Sequence, residues 1–267
     1  MIKTIIRNQL LPQVFNEQKT KLQLILREIK YVSLTTDMWR FIMGESFITT
    51  ISHFIYKGKL RSAVMETTVI EHRHKAKIIK DYLQKLIDEW NLYGKVQIII
   101  TDNASNMVKA CDLLKINHHN CFAHTLNLTV NDGLEDASNS ELIKLLQKYK
   151  DIVQYFKKSN LVMDKLKEEQ VRKNKPLLRP IQSVITRWNS MFYMIKRLLD
   201  LNEDDYLTIV LASSPVLEPF EDVTNQLSDD SYVTVSLIIP AVAEINKKLL
   251  EVNLQTDVVK NASFKIK

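Results

Sequence analysis

The sequence predicts an α/β protein, in which a mixed sheet with flanking helices is followed by an all-helical region. Three strands, a helix and a fourth strand are indicated between residues 31 and 100, and nearly everything from about Phe122 onward has helical periodicity. A hairpin that leads through a crossover helix into another strand favours a mixed sheet with helices packed on it. The 267 residues, 45% of them hydrophobic, are enough for a substantial core and for one or two domains.

Four consecutive segments divide the chain in this prediction. Residues 1–30 form an N-terminal helical segment, and residues 31–135 form the α/β core. Residues 136–199 form a basic helical segment, and residues 200–267 begin a further helical domain.

The predicted strands are rich in β-branched and aromatic residues. The helical pattern of the first segment is interrupted by Pro12, and Tyr31–Asp37 then predicts a strand that ends in a carboxylate. Two further segments rich in Ile, Thr, Val and Phe, Ser46–Tyr56 and Leu60–Ile70, flank Lys57-Gly58-Lys59. That arrangement is typical of a β-hairpin.

The hydrophobic period then lengthens to that of a helix. Apolar residues recur every three or four positions from Ile78 to Trp90, which predicts an amphipathic helix ending near Gly94. Val96–Ile100 follows as a short buried strand with Asp102 just beyond its end, and Ala104–Leu114 predicts another helix. The sheet portion is expected to end near residue 135, and breaks in the helical remainder are predicted at Asp136–Asn139, Pro176–Pro180, Pro215 and Pro240.

Composition excludes several classes of protein. The four glycines are isolated, so neither a P-loop nor a GxGxxG dinucleotide motif can be written. Two cysteines cannot form a disulfide framework, and no apolar run approaches the length of about 18 residues that a membrane span needs. The N-terminus soon turns polar and lacks a small-residue cleavage site, so we expect an intracellular protein with no membrane partner.

Positive charge is concentrated in one part of the chain. The formal net charge is +6, whereas residues 141–200 alone carry 14 basic and 6 acidic side chains. A concentrated basic stretch suits a polyanion, because phosphate contacts release counterions. From charge alone, a solvated helix face is the favoured interpretation and a polyanion partner is the alternative.

Two aspartates follow predicted strands. Asp37 and Asp102 each lie at the C-terminal end of a strand, where open α/β sheets place ligands. If the two strands are neighbours, the carboxylates share one small volume and either repel each other or hold a divalent cation between them. Such a cation could activate water for attack on a phosphodiester. The spacing alone favours a simpler role for each aspartate, as a turn or helix cap.

Cys121 and His124 have the Cys-x-x-His spacing of half a zinc site, with His118 and His119 just upstream. A structural zinc site takes four ligands, normally as two separated pairs. Because Cys111 stands alone and no second pair exists, we predict no zinc finger in this chain. The favoured interpretation is a buried Cys and His, hydrogen-bonded on a helix near the edge of the sheet.

The segment Thr186–Ser190 follows the basic stretch and begins a helix. One interpretation, which the residues alone favour, places Trp188 in the core and Arg187 on the surface. The alternative makes Arg187 a phosphate contact and Trp188 a platform on which a base stacks.

Four motifs occur together in a fixed order. They are Leu34-Thr35-Thr36-Asp37-Met38-Trp39, Thr101-Asp102-Asn103-Ala104-Ser105-Asn106-Met107, Cys121-Phe122-Ala123-His124-Thr125-Leu126-Asn127-Leu128 and Thr186-Arg187-Trp188-Asn189-Ser190. The series resembles the hAT superfamily of cut-and-paste DNA transposases, in particular members related to BED-type zinc-finger proteins. His74 and Leu217-Glu218-Pro219-Phe220 also resemble family motifs, and the resemblance spans roughly residues 20–255.

The resemblance implies a ribonuclease-H-like catalytic fold, of which residues 31–135 are the first part, interrupted by a helical insertion that begins in residues 200–267. Asp37 and Asp102 would be two of three carboxylates that bind Mg²⁺ or Mn²⁺. His124 would lie beside the scissile phosphate, and Cys121 would be structural.

The resemblance also implies contacts with DNA. Trp188 would stack on a base flipped from the DNA flank, and Arg187 would support the phosphate backbone. The implied reaction, in the nucleus, is phosphodiester hydrolysis and transesterification at transposon ends.

The sequence also departs from the family pattern. The third carboxylate of the family is a Glu that follows the insertion, and none of Glu218, Glu221, Glu244 and Glu251 lies in the expected motif. We also find neither the C-terminal dimerisation region nor the BED finger of the family. We therefore expect weak metal binding and a protein that binds DNA without full transposition activity.

Two alternatives to that expectation stay open. The chain is a metal-dependent DNA transposase or nuclease if a Glu from elsewhere, such as a full-length transposase-like partner, completes the site. It is a non-catalytic module for protein interaction or transcriptional regulation if residues 200–267 bind another protein and the sheet is only a scaffold.

Overall fold

Strands occupy the first part of the chain and helices the rest. The computed structural model describes residues 5–41, 44–70, 75–135, 140–184, 188–201, 208–228 and 234–253. Contacts among these residues define two units, one that ends at Cys121 and one that begins at Phe122. The predicted α/β core extends further, to residue 135. The helix over residues 122–135 belongs instead to the second unit, because its apolar side chains are buried in the core of that unit.

The first unit contains the sheet. A π-helical turn, Ile6–Leu10, leads into helix α1. The elements that follow the turn are α1 (Leu11–Glu28), β1 (Val32–Arg40), β2 (Ser46–Tyr56), β3 (Lys59–Val69), α2 (Ala76–Glu89), β4 (Val96–Thr101), α3 (Ser105–Leu114) and β5 (Asn117–Asn120). Pro12 does not interrupt the N-terminal helix as predicted. It lies in the first turn of α1, where the π-helical turn changes into an α-helix without a break.

The five strands form one mixed sheet in the order β3-β2-β1-β4-β5. β1 is antiparallel to β2, and β2 is antiparallel to β3. β4 is parallel to β1 on one side and to β5 on the other. The predicted hairpin, crossover helix and mixed sheet are therefore confirmed.

Two strands differ from the prediction. β1 continues three residues beyond Asp37, because β2 pairs with it as far as Arg40–Ser46. β5 is not predicted at all, since Asn117–Asn120 contains no β-branched residue and no Phe, Tyr or Trp. It forms because the exposed edge of β4 supplies a parallel ladder from Ile98–Asn117 to Thr101–Asn120.

One face of the sheet packs on helices. Alternate residues of β1 are buried, namely Val32, Leu34 and Thr36, as the two-residue period of a strand requires. On this face a single hydrophobic cluster joins the strands to α1, α2 and α3; its fully buried members include Leu26, Leu34, Ile48, Ile79, Leu83, Ile99 and Met107.

The second unit is helical throughout its described residues. Its elements are α4 (Phe122–Glu135), α5 (Ser140–Lys158), α6 (Asn160–Arg172), α7 (Trp188–Leu201), α8 (Thr208–Leu227), a 3-10 turn (Val235–Leu237) and α9 (Ile238–Asn253). Its hydrophobic core is formed by residues including Leu126, Val130, Val153, Phe192, Phe220 and Ile245. No helix in the described part of the chain is long and apolar enough to cross a membrane.

Prolines affect these helices less than predicted. The break at Pro176–Pro180 is confirmed, and the one at Asp136–Asn139 lies outside the described residues. The break at Pro215 is wrong, because α8 continues through it. Burial of α8 through Leu217 and Phe220 outweighs the lost backbone hydrogen bond. The break at Pro240 is also wrong, since this residue lies in the first turn of α9.

Candidate active site at the ends of β1 and β4

Asp37 lies on the exposed face of the sheet. Its neighbour Thr36 is buried, whereas Asp37 itself is exposed. On one side it pairs with Thr49 of β2. On the other side the ladder between β1 and β4 ends at Thr35–Ile100, two residues before Asp37. At Asp37, β1 is therefore still paired with β2 but no longer paired with β4.

Buried hydroxyl groups hold β1 in place beside Asp37. The Thr36 and Thr50 hydroxyls are 3.1 Å apart across the two strands, and the Thr50 hydroxyl is 3.3 Å from the Tyr82 hydroxyl of α2. Burial raises the pKa of Tyr82 to about 12, so its hydroxyl stays neutral at physiological pH. These contacts tie the strand that carries Asp37 to the helix packed beneath it.

Asp102 directly follows β4 and is half-buried. Its Oδ1 accepts a hydrogen bond from the backbone N–H of Ala104 at 3.2 Å, which forms a turn just before α3. The turn role that spacing alone favours is therefore present. A carboxylate has two oxygens with about four lone-pair sites, so this single bond leaves the group able to accept a further ligand.

The two aspartates lie beyond the same end, the carboxyl end, of the ladder between two adjacent parallel strands. Counted from the last paired row, Thr35–Ile100, each aspartate is two residues further along its own strand. The condition set by the sequence, that the two strands be neighbours, is thus met. This side of the sheet corresponds to the carboxyl end of the β1–β4 ladder, where open α/β sheets bind ligands.

The donor set suits a hard divalent cation. Mg²⁺ takes oxygen ligands and is commonly held by one or two carboxylates together with substrate phosphates and several waters. Asp37 and Asp102 would supply the carboxylates, and Mn²⁺ accepts the same ligands. Among the residues that the structure describes, no group of three or more His, Cys, Asp and Glu is placed to hold a metal. When bound, the cation would polarise a phosphoryl oxygen and activate water.

His118 of β5 is attached to the Asp102 turn through Thr101. The Thr101 hydroxyl donates to the backbone carbonyl of Asp102 at 2.7 Å and lies 2.9 Å from His118 Nε2. Because the hydroxyl has one proton, Nε2 is the donor in the second bond. Burial and the neighbouring His119 lower the pKa of His118, which favours this neutral imidazole. Sequence reasoning missed the contact, because it considered His118 only as a zinc ligand.

Cys121 connects the sheet to the second unit. Its backbone N–H donates to the Thr101 carbonyl at 2.7 Å, and α4 begins with the next residue. His124 is half-buried in the first turn of α4, within the second unit. Both side chains are thus partly buried, on either side of the boundary between the units. The roles proposed for Cys121 and His124 stay predictions.

The Arg-Trp motif is only partly within the described residues. Arg187 lies outside them, and Trp188 is the first residue of α7, with no description of its side chain. The adjacent Ser190 hydroxyl accepts a hydrogen bond from the Val184 N–H at 2.6 Å and donates to the Val184 carbonyl at 2.9 Å. These two hydrogen bonds connect the first turn of α7 to Val184.

Two of the glutamates considered for the third carboxylate are engaged within the second unit. Glu221 accepts a hydrogen bond from the Tyr193 hydroxyl, which raises the pKa of that tyrosine. Glu244 forms an ion pair with Lys248 at 3.8 Å, one turn further along α9. These contacts give both residues roles in the helical unit.

Two consecutive domain families match this chain. The ZBED1 RNase-like domain matches residues 35–128, and the ZBED1 RNase-like helical domain matches residues 119–210. The first range contains Asp37, Asp102, Cys121 and His124. The fold is accordingly of the RNase-like class, and the predicted ribonuclease-H-like sheet followed by a helical region is confirmed.

Relatives of the chain include transposases and BED zinc finger proteins. Zinc finger BED domain-containing protein 4 of Homo sapiens is 23% identical over 90% of this chain and 22% of that protein. Putative AC transposase of Zea mays is 26% identical over 87% of this chain and 33% of that protein. Putative transcriptional regulator tpeD of Talaromyces stipitatus is 24% identical over 75% of this chain and 28% of that protein.

The chain is therefore related to the hAT transposases and to the BED zinc finger proteins, as the four motifs predict. It spans between about a fifth and a third of the length of the three relatives compared above.

Proposed function

We propose that this chain binds DNA as part of an hAT-type protein, and that the basic helical segment contacts the phosphates. The observation that carries the proposal is the exposure of positive side chains along α5, α6 and the segment after them. All of the following are exposed to solvent: Lys157, Lys158, Lys165, Lys167, Arg172, Lys173 and Arg179. In a chain of this family, phosphate contacts account for an exposed basic surface better than solubility alone does.

A salt titration tests this proposal. The affinity for a duplex of arbitrary sequence, measured by fluorescence polarisation, should fall linearly on a log-log plot with a slope of about −0.9 per phosphate contact. Replacing Lys165, Lys167 and Lys173 together by Gln should weaken binding and make the slope shallower by up to about 3. A slope that the triple variant leaves unchanged would contradict the assignment of the segment.

The matched control places the same substitution elsewhere in the chain. Lys57 lies in the turn between β2 and β3, Lys59 begins β3, and both are exposed. Replacing both by Gln removes positive charge without touching the basic segment. We expect this double variant to keep the wild-type slope.

Metal-dependent DNA cleavage is a second candidate function, favoured by the positions of Asp37 and Asp102 beside adjacent parallel strands. In this proposal Glu from elsewhere in a longer protein, or from a partner, completes the site. Mn²⁺ binding by the wild type, followed by electron paramagnetic resonance, should weaken in both Asp37→Asn and Asp102→Asn. Asp81→Asn, on the exposed surface of α2, should bind as the wild type does.

A cleavage assay completes this test. Nicking of supercoiled DNA that requires Mg²⁺ or Mn²⁺ and disappears in both site variants would support the second function. Equal nicking by the wild type and both variants would assign the activity to a contaminant. A nuclear location follows from either function, and imaging of a fluorescent fusion checks it.

A further inference from the structure

Trp39 and Phe47 form an aromatic pair on the exposed face of the sheet. Their ring centroids are 4.6 Å apart and their planes are inclined by 13°, so the rings are stacked. The two residues pair directly in the ladder between β1 and β2. Since neighbouring strands lie about 4.8 Å apart, the ring spacing matches the strand spacing. The stack therefore runs across the strands, from Phe47 on β2 to Trp39 on β1.

The indole of Trp39 is held in a fixed orientation although it is not buried. Its Nε1–H donates to the Thr49 hydroxyl at 3.3 Å, and that hydroxyl lies 3.1 Å from the hydroxyl of Thr67 on β3. Trp39 is nevertheless 43% exposed. The hydrophobic core of this unit lies on the other face of the sheet, around Leu34 and Ile48. Core packing therefore does not account for how firmly Trp39 is held.

Trp39 shares its face of β1 with Asp37. Residues two apart on a strand point to the same side, about 7 Å from each other along the strand. The ladder between β1 and β4 has ended at Thr35–Ile100, and among the residues that the structure describes none pairs with Trp39 on its β4 side. The ring face that is turned away from Phe47 is thus directed toward the side of the sheet on which Asp102 follows β4.

We propose that Trp39 is a stacking platform for a nucleobase of the DNA strand that reaches Asp37. This inference rests on the proposed binding of DNA. The base would extend an existing stack, in the order Phe47, Trp39, base, and would need no rearrangement of either ring. Because every base has an aromatic face, such a platform holds DNA of any sequence.

The spacing supports this occupant. The distance of about 7 Å between Trp39 and Asp37 is roughly twice the 3.4 Å rise per nucleotide of a stacked strand. A base on Trp39 would therefore belong to a nucleotide within about two positions of a phosphate held at Asp37. The platform positions the strand and takes no part in the chemistry.

The surroundings of Trp39 favour a base over an apolar protein partner. Its neighbours at this end of the sheet are the Thr49 and Thr67 hydroxyls and the Asp37 carboxylate, which suit an amphipathic ring with polar edges. Of the exposed apolar residues on the same face, Val69 lies opposite Phe47 on β3, on the far side of the stack from Trp39, whereas Ile55 and Val64 lie toward the hairpin turn. The polar groups therefore lie beside Trp39, and the apolar side chain lies beyond Phe47.

Removal of a base from the DNA tests the proposal. The probe is a fluorescent duplex with a short single-stranded thymidine overhang, compared with the same duplex whose overhang is abasic. For the wild-type chain, we expect the bases to strengthen binding by roughly 5- to 150-fold, the equivalent of about 1–3 kcal/mol per stacked base. Trp39→Leu should lose that difference, because leucine fills space without offering an aromatic face. Trp39→Phe should retain most of it.

Two matched measurements establish whether the loss is specific to the Trp39 ring. Tyr93 is 85% exposed and lies before β4, at the opposite end of the sheet, so Tyr93→Leu should behave as the wild type does. Thermal unfolding and the affinity of Trp39→Leu for a blunt duplex should match the wild type, which shows that the variant is folded.

Each outcome has one meaning. If the wild type binds no blunt duplex in a salt-dependent manner, the proposed function fails. If the wild type binds the blunt duplex but the overhang bases add nothing to its affinity, only the platform is overturned. The same holds if the bases strengthen binding as much in Trp39→Leu as in the wild type. The platform is also overturned if Trp39→Leu dissociates an oligomer in sedimentation while the effect of the bases persists, because the pair is then a protein contact.

Discussion

Thr101 makes several of the polar contacts of the candidate site. Its side chain is buried, its hydroxyl joins the Asp102 carbonyl to His118, and its own carbonyl accepts the Cys121 N–H. One residue thus links the end of β4, the turn that holds Asp102, and Cys121, the last residue of this stretch of the first unit. A single hydroxyl can serve both neighbours only if His118 carries its proton on Nε2.

The partial burial of His118 makes the stability of the fold depend on pH. Its pKa in the folded chain is lowered from 6.5, chiefly by burial, so the unfolded chain binds more protons between the two values. The contribution to stability is present above pH 6.5 and is lost as the pH falls below it. His118→Gln keeps a donor for Thr101 but does not titrate. In urea denaturation at pH 7.5 and 5.5, we expect the wild type to lose more stability than His118→Gln.

The result can be checked against a neighbour on the same strand. His119 is exposed, and its Nδ1 donates to the Asn120 carbonyl at 2.7 Å. His119→Gln should retain most of the pH dependence of the wild type. Parallel losses in the wild type and His118→Gln would show that His118 does not carry the effect.

Residues such as these show which parts of the site the sequence can predict. Asp37 and Asp102 are recognisable because each follows a pattern of its own strand. The contact between Thr101 and His118 depends on the register of β5 against β4, which no local pattern contains. The roles of Arg187 and Trp188 depend on DNA, and they stay predictions.

At the scale of elements, the hairpin can be predicted from the sequence and β5 cannot. The β2–β3 turn is predictable because Lys57 and Gly58 have φ angles of 51° and 74°, and a two-residue turn with both φ values positive favours glycine. β5 has the sequence Asn-His-His-Asn and no strand propensity of its own. Tertiary pairing alone makes it a strand, so the sequence pattern predicts no strand there.

Helix α2 holds the sheet through its apolar face, and its truncation should be costly. Leu83 is fully buried in the cluster that also contains Leu34, Ile48 and Ile99. We expect Leu83→Ala to lower the free energy of unfolding by about 2–5 kcal/mol, because it leaves a cavity. Chemical denaturation measures the change.

The control is the same substitution on an exposed helical surface. Leu24 of α1 is 53% exposed, so Leu24→Ala should change the free energy of unfolding by no more than about 0.5 kcal/mol. Equal losses for the two leucines would mean that α2 does not anchor the sheet as described.

At the scale of the whole molecule, the described residues form two hydrophobic cores with no buried residue in common. The hydrophobic periodicity of the sequence predicts both cores, since it distinguishes a sheet region from a helical region. It does not predict that the boundary falls at Cys121, because the apolar face of α4 is compatible with burial in either core.

Separate cores predict separate responses to mutation. Leu83→Ala should raise amide hydrogen exchange in β1, β2 and β4, and Phe220→Ala should raise it in α8 and α9, since Phe220 is fully buried in the second core. Mass spectrometry of peptides resolves the two regions. Loss of protection throughout the chain in either variant would show that the cores unfold as one.

The pairing of β1 also constrains how the gene can change. β1 has an antiparallel partner on one side and a parallel partner on the other, and its side chains alternate between the core and the exposed face. A deletion of one codon between Leu34 and Asp37 would turn Asp37 toward the core or Leu34 toward solvent. Natural selection should therefore remove single-codon insertions and deletions from this strand, even where it tolerates point substitutions of the same residues.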